Sequence, residues 1–346
     1  MKNKENILLA HGSGGRQSND LIESLFKKHF SNDILNQGDD SANIKLNEII
    51  TNNNIDGSIA FTTDTFTVSP IFFPGGNIGD LAINGTVNDL SASGATPLYL
   101  SAGFILEEGF PLKDLDIIVS SMAYYSDKAS VKIVTGDTKV VNKGQCDKIF
   151  INTSGIGYIP SQINISGANA KPGNAVIISG SIADHGVAVL SKREGLQFES
   201  NIESDSYPLN NIVKAVLDKY PDKVRVMRDP TRGGIATTLN EIAKQSNTGI
   251  RLFEDMIPIK EEVNAMCEIL GLEPMYIANE GKMLFICEKE IAEDIISILK
   301  GFNESKEAAV IGEITDDFTG KVTVKTSVGG ERFVDMLYGE TLPRIC

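Results

Sequence analysis

Four aspartate motifs recur in the first half of the chain: Gly38-Asp39-Asp40, Thr63-Asp64-Thr65, Asn88-Asp89 and Gly136-Asp137. Taken singly, each suits a tight turn, because Asp beside Gly favours turn geometry. Taken together on loops at one edge of a sheet, the carboxylates would repel one another unless cations sat between them. Mg²⁺ held by carboxylates and substrate phosphates is the usual arrangement. Asp39, Asp64, Asp89 and Asp137 are therefore candidate ligands of a nucleotide–Mg²⁺ site.

Two glycine-rich loops could serve the phosphates of such a nucleotide. His11-Gly12-Ser13-Gly14-Gly15-Arg16 precedes a helical pattern, so its backbone N–H groups, the helix N-terminus and the Arg16 cation could face an anion. It lacks the Gly-Lys-Ser/Thr of a P-loop and does not match Gly-x-Gly-x-x-Gly, and a plain flexible turn explains it nearly as well. Asp229-Pro230-Thr231-Arg232-Gly233-Gly234 opens a helix in the second half, as an anion-binding loop or as a helix-capping turn.

The four cysteines, Cys146, Cys267, Cys287 and Cys346, are far apart, with no Cys-x-x-Cys, which argues against a zinc site or a disulfide framework. Cys287 reads as buried strand, Cys267 as the inner face of a helix and Cys146 as a loop thiol. Cys346 is the last residue, on a stem with apolar Leu342 and Ile345, a stiffening Pro343 and a cationic Arg344. From Asp335 an extended chain reaches about 36–40 Å, enough to swing a thiol between sites on different proteins. The terminal carboxylate disfavours the thiolate and Arg344 favours it, so a positioned base or cation is required. Lys139 in Gly-Asp-Thr-Lys-Val and Glu280 in Ala-Asn-Glu-Gly-Lys are candidates, against ordinary surface charge. For His185, in Ala-Asp-His-Gly-Val, a helix-capping or structural role is the safer reading.

Composition limits what these residues can serve. With 32 Lys and Arg against 46 Asp and Glu, the net charge of −14 argues against nucleic-acid binding, which needs clustered cations. No segment approaches the ~18 apolar residues of a membrane span. The start of the chain has no signal-peptide pattern, so a cytoplasmic protein is expected. At 346 residues, two cores are expected.

The elements that must position the chemistry alternate along the chain. A helical run carries Leu21, Ile22, Leu25, Phe26 and Phe30. Between residues 36 and 163, β-branched runs (Ser58–Thr63, Val131–Thr135, Lys148–Ile156) alternate with helical patterns over Ile78–Ser93 and Leu112–Lys128, an α/β domain. Breakers around Pro160–Gly173 mark a boundary. The second unit, 172–335, mixes strands at Ala175–Ser179, Met283–Cys287, 308–314 and 321–325 with helices at Ala183–Arg193, Asn210–Lys219, Ile235–Gln245 and Ile291–Leu299. Residues 1–35 form an N-terminal arm, and 336–346 read as a mobile tail.

The same motifs resemble the HypE family, the carbamoyl dehydratases of [NiFe]-hydrogenase maturation. That family lies within the superfamily of aminoimidazole ribonucleotide synthetase (PurM) and selenophosphate synthetase. The resemblance runs through Leu-Ala-His-Gly-Ser-Gly-Gly-Arg from Leu9, Gly-Asp-Asp from Gly38, Thr-Thr-Asp from Thr62 and Asn-Asp-Leu-Ser-Ala-Ser-Gly-Ala from Asn88. It continues with Thr-Gly-Asp-Thr-Lys-Val from Thr135, Ile-Ala-Asp-His-Gly from Ile182, Arg-Asp-Pro-Thr-Arg-Gly-Gly from Arg228 and Ala-Asn-Glu-Gly from Ala278. The closing Pro-Arg-Ile-Cys is its most specific part.

The resemblance implies a two-domain PurM-like fold, an α/β N-terminal domain and an α+β C-terminal domain followed by a flexible tail, with ATP bound between these elements. It implies a homodimer through the N-terminal sheets, a carbamoyltransferase partner HypF that loads Cys346, and a HypC–HypD complex that receives cyanide on iron. By motif, Cys346 would be the carrier, Glu280 the base and Lys139 a stabilising cation. Asp39, Asp64, Asp89 and Asp137 would hold Mg²⁺, and the His11–Arg16 loop with Asp229 and Arg232 would bind the nucleotide. The rival reading is another ATP-dependent synthetase or kinase of the superfamily, which needs no terminal cysteine.

Overall fold

The computed structural model describes residues 6–12, 16–37, 56–195, 202–337 and 344–345. Asp39, Ser13, Gly14, Gly15 and Cys346 lie outside the described residues, as does the side chain of Arg16. The N-terminal helical run is α1 (Arg16–Leu21) and α2 (Lys27–Phe30), separated by a π-helical segment at Ile22–Phe26. Leu21, Leu25, Phe26 and Phe30 turn inward together, as their spacing requires.

The first sheet has the order β1-β6-β4-β5: β1 (Gly57–Phe66), β4 (Thr96–Glu107), β5 (Lys132–Val141) and β6 (Ile149–Pro160). Only β4 and β5 pair in parallel. A short ribbon, β2 (Phe72–Phe73) with β3 (Gly76–Asn77), leads into α3 (Ile78–Ala92), and α4 (Leu112–Lys128) connects β4 to β5. The β4–α4–β5 crossover is what permits that parallel pair.

Helix α3 starts sharply: the Asn77 side chain accepts from Gly79 N–H while Asp80 reaches back to the Asn77 N–H, a capping box. It is buried on nearly all sides because it lies between the first sheet and the second domain. Every residue of α3 is buried except Asp89.

The second sheet runs β13-β12-β9-β11-β7-β10-β8: β7 (Ala175–Ile178), β8 (Val224–Arg228), β9 (Gly249–Phe253), β10 (Leu284–Cys287), β11 (Ala309–Thr315), β12 (Val322–Lys325) and β13 (Glu331–Val334). It is antiparallel apart from β9–β12. One face is covered by α7 (Gly234–Ser246), the other by α6 (Asn210–Lys219) and α9 (Ala292–Leu299). Successive side chains of β7 and β10 therefore enter opposite cores: Val176, Ile178, Leu284 and Ile286 one, Ala175, Ile177, Phe285 and Cys287 the other. Helices α5 (Asp184–Arg193) and α8 (Glu261–Leu270) pack on each other beside the sheet. Cys267 and Cys287 are both buried, and burial pushes their thiols up to about 11 and about 12.

Candidate active site between the two domains

Asp64 sits near the end of β1, on the side facing α3, and Asp89 is the one less buried residue of that helix. The Thr62 hydroxyl on β1 donates to Asp89 Oδ2 at 2.9 Å, which locks strand and helix in register at the cleft. Gly85, one turn earlier on α3, permits this approach, since a Cβ there would meet the Phe66 ring at 2.9 Å. From the second domain, β8 ends in Arg228 and the chain delivers Asp229, Thr231 and Arg232 to the same cleft, with Glu280 beside them. The Arg232 guanidinium lies 3.9 Å from Asp64.

Glu280 is held through its main chain. Asn88 donates to the Glu280 carbonyl at 3.2 Å and to the Tyr207 carbonyl at 3.1 Å, while its own oxygen accepts from Leu209 N–H at 2.8 Å. The Glu280 N–H donates to Asp205 Oδ1 at 3.1 Å. Asn279 accepts from Ala183 N–H and donates to the carbonyls of Pro230 and Ile277, tying the Asp229 loop to the Glu280 loop. In the Asn-Asp and Asn-Glu pairs, asparagine therefore anchors backbone and the acid enters the cleft. The sequence reading took up the acids and missed both asparagines; their placement directly before each acid was the available signal.

The charges are crowded. Burial pushes the Asp64 carboxyl above its ordinary range against the pull of the Thr65 N–H and of Arg232. Asp89 is also raised by burial, opposed by the Thr62 hydroxyl and reinforced by the Asp64 charge. Asp229 is pushed up to about 7, first by burial and then by the neighbouring Asp89 charge. Three carboxyls that resist ionisation in one cleft are a donor set that a bound cation would relieve. Among the described residues, no three His, Cys, Asp or Glu side chains stand close enough to hold an ion unaided.

The other expected residues lie elsewhere. Asp137 and Lys139 are on β5, at the opposite edge of the first sheet from β1, exposed and 3.6 Å apart. With His11, Phe26, Phe30 and Phe104 they line a separate groove. His11 itself caps a turn, its Nδ1 accepting from Leu8 N–H at 3.0 Å, and burial lowers its pKa. Within one chain the expected residues thus form two clusters. His185 is wholly buried in the first turn of α5, with both ring nitrogens hydrogen-bonded, which fits the structural reading of this residue.

Two models of the AIR synthase related proteins match the chain, the N-terminal domain over residues 38–159 and the C-terminal domain over 171–325. The carbamoyl dehydratase HypE of Azotobacter vinelandii is 49% identical over 340 residues, covering 98% of this chain and 97% of that protein. The chain belongs to the HypE family. A crystal structure of HypE in complex with ATP is 47% identical, with a TM-score of 0.92 over 98% of this chain and 99% of that one. A HypE chain from a HypE–HypF complex superposes with a TM-score of 0.79 at 48% identity, over 92% and 99% of the two chains. The fold is the two-domain PurM-like fold, and the family is that of the carbamoyl dehydratases of hydrogenase maturation. Among the described residues of this HypE-family chain, no helix is long and apolar enough to cross a membrane.

Proposed function

We propose that this HypE-family chain uses ATP and Mg²⁺ to dehydrate a carbamoyl group carried on Cys346 to a thiocyanate, and that the interdomain cleft is where it does so. The observation that carries the reading is the convergence of Asp64, Asp89, Asp229 and Arg232 from both domains beside Glu280, with all three aspartates raised toward neutrality. Such a site suits a polyphosphate brought in with a divalent cation.

An amide oxygen is a poor leaving group. Attack of the thiocarbamate oxygen on the γ-phosphorus, with departure of ADP, turns that oxygen into phosphate. Loss of the phosphate and of both nitrogen protons then leaves a carbon–nitrogen triple bond on sulfur. Glu280, whose main chain is held by Asn88 and Asp205, would accept a nitrogen proton. Arg232 faces the developing phosphate charge, and Lys139 supplies a second cation. Asp64, Asp89 and Asp229 would hold Mg²⁺, which when bound neutralises phosphate charge; Asp39 and Asp137 complete the proposed set.

Asp137 and Lys139 belong to the far edge of the first sheet, so the reading includes a homodimer in which sheets of two subunits pair and bring that edge to a partner's cleft. The exposed apolar side chains Ile59, Phe61 and Ile105 on the outer face of this sheet support such pairing. A HypF-like carbamoyltransferase would load Cys346, in keeping with the HypE–HypF complex of a relative. A HypC–HypD-like complex would accept the cyanide, all within the cytoplasm. The test is to carbamoylate the protein with its transferase, add Mg-ATP and follow the C-terminal peptide by mass spectrometry. Loss of one water from a carbamoyl adduct on Cys346 is the expected result. A thiol that is never modified would refute it.

A further inference from the structure

Near the end of the chain, Arg344 and Ile345 occupy a built seat. The Arg344 carbonyl accepts from Ser69 N–H at 3.1 Å and from Arg193 Nη2 at 2.7 Å. Its guanidinium donates to Asp147 Oδ2 at 2.6 Å and to the Thr67 carbonyl at 2.7 Å. The Ile345 side chain is 3% exposed, in the same apolar cluster as Phe73, Val189 and Leu190. Arg344 is at φ 54°, a left-handed conformation that a non-glycine residue keeps only where its surroundings over-determine it.

The Ile345 carbonyl lies 2.9 Å from His185 Nε2. A carbonyl only accepts, so Nε2 carries the proton; burial keeps the imidazole neutral, and Nδ1 accepts from the Ser204 hydroxyl at 2.8 Å. Ser204 begins a short segment that reaches the proposed base. Its Oγ accepts from Ser206 N–H, and the intervening Asp205 accepts from the Glu280 N–H. Gly281 closes the joint: a Cβ there would stand 1.7 Å from the Asp205 carbonyl oxygen, so only glycine allows the two segments to touch. Asn84 donates to Ser206 Oγ at 3.0 Å and ties the segment to α3.

We propose that His185 and Arg193 seat the main chain of Arg344–Ile345 while Asp147 holds the Arg344 guanidinium, and that the Ser204–Ser206 segment sets this seat in register with Glu280. His185 is thereby a positioning residue for the dehydration step. It reads a backbone carbonyl one residue before Cys346, so it fixes where the carrier begins without touching the reacting atoms. The inference rests on the roles given above to Cys346 and Glu280, and its test separates the two.

Trypsin cuts after Arg344, so release of the Ile345–Cys346 dipeptide from the full chain measures unseating without any reaction. In His185→Ala and in the surface variant Asp147→Asn, this cleavage should run about three- to ten-fold faster than in the natural protein, the change expected for loss of one hydrogen bond. His185→Gln, which keeps a donor near the Nε2 position, should return toward the natural rate. In a single turnover of carbamoylated protein, His185→Ala should slow water loss while the apparent KM for ATP stays put. Unchanged cleavage in both His185→Ala and Asp147→Asn would overturn the seat. Faster cleavage with undiminished water loss would overturn the positioning role. If the natural protein itself never lost water, the proposed reaction would fall, while the cleavage rates would still decide the seat. Asp147 is exposed, so its variant tests the seat even if His185→Ala does not fold.

Discussion

The cleft between the domains and the groove at the far edge of the first sheet both hold acidic residues, but on different foundations. Around Asp89 and Glu280, the neighbouring asparagines spend their hydrogen bonds on main-chain groups from distant parts of the chain, and α3 is buried everywhere except at Asp89. Around Asp137 and Lys139 the side chains stand in solvent, linked only loosely at 3.6 Å. Solvent screens such a pair, and its position has little cost of change. The cleft is therefore preorganised by one chain alone, whereas the groove needs something further, a ligand or a second subunit, to fix its charges.

That contrast can be broken in several ways. The largest effect should come from Glu280→Gln, which removes the base but keeps the shape: nitrile formation should drop by about two to four orders of magnitude while the carbamoyl adduct accumulates on Cys346. Mass spectrometry that finds nitrile at the normal rate would strip Glu280 of its role. Next, Asp89→Ala should weaken magnesium-dependent nucleotide binding by about ten-fold or more in calorimetry, a loss of roughly 1.4 kcal/mol for each order of magnitude. Asp137→Ala should cost less under conditions where the protein is monomeric. Equal losses would mean that both regions already belong to one site in a single chain.

Acidity sharpens the comparison further. Asp229 is held up to about 7 by burial and by the Asp89 charge, and a cation binds its ionised form. Magnesium-dependent nucleotide affinity should therefore fall several-fold between about pH 8 and about pH 6. For the ligand-free protein the sign is opposite. The folded-state pKa lies above the unfolded value of 3.8, so the folded chain binds the extra proton between about pH 4 and 7, and this group's contribution to stability is lost as pH rises through that window. Asp80, buried in the α3 capping box and also pushed up to about 7, adds to the same trend. Thermal melts across this range that show no decline assignable to Asp229 and Asp80, by comparison with their Asn variants, would contradict it. The smallest effect is on assembly: Phe61→Glu, on an edge strand and 71% exposed, should leave folding within about 0.5 kcal/mol while shifting sedimentation toward monomer. An unshifted profile would remove the outer face of the first sheet from the proposed dimer.

Much of this architecture was legible because local patterns suffice for it. The helices Ile78–Ala92, Leu112–Lys128 and Asn210–Lys219 follow their apolar spacing almost to the residue. The central strand Thr96–Glu107 was not read, because Pro97 and Gly103 look like breakers. In fact Pro97 stands where the register with β6 shifts, and Gly103 lies between paired neighbours. Strands Val224–Arg228, Gly249–Phe253 and Glu331–Val334 escaped for another reason: Arg225, Arg251 and Arg332 interrupt their apolar runs, and only long-range pairing makes them strands. In the cleft, the acids announced themselves by type. Asn88 did not, since its function is to bond backbone 119 and 192 positions away, a relation that no local window contains.

The seat of the chain's end draws on both domains at once: Thr67, Ser69 and Asp147 come from the first, His185 and Arg193 from the second. Arg193 also bonds the Ser69 carbonyl across the same gap. A seated end is thus a strap across the two domains, and a partner that draws it out removes these cross-domain bonds as well as freeing the thiol. Stiffness of the whole molecule becomes a readout of tail occupancy. Small-angle scattering should register a broader spread of domain separations when the last three residues are removed than when they are present.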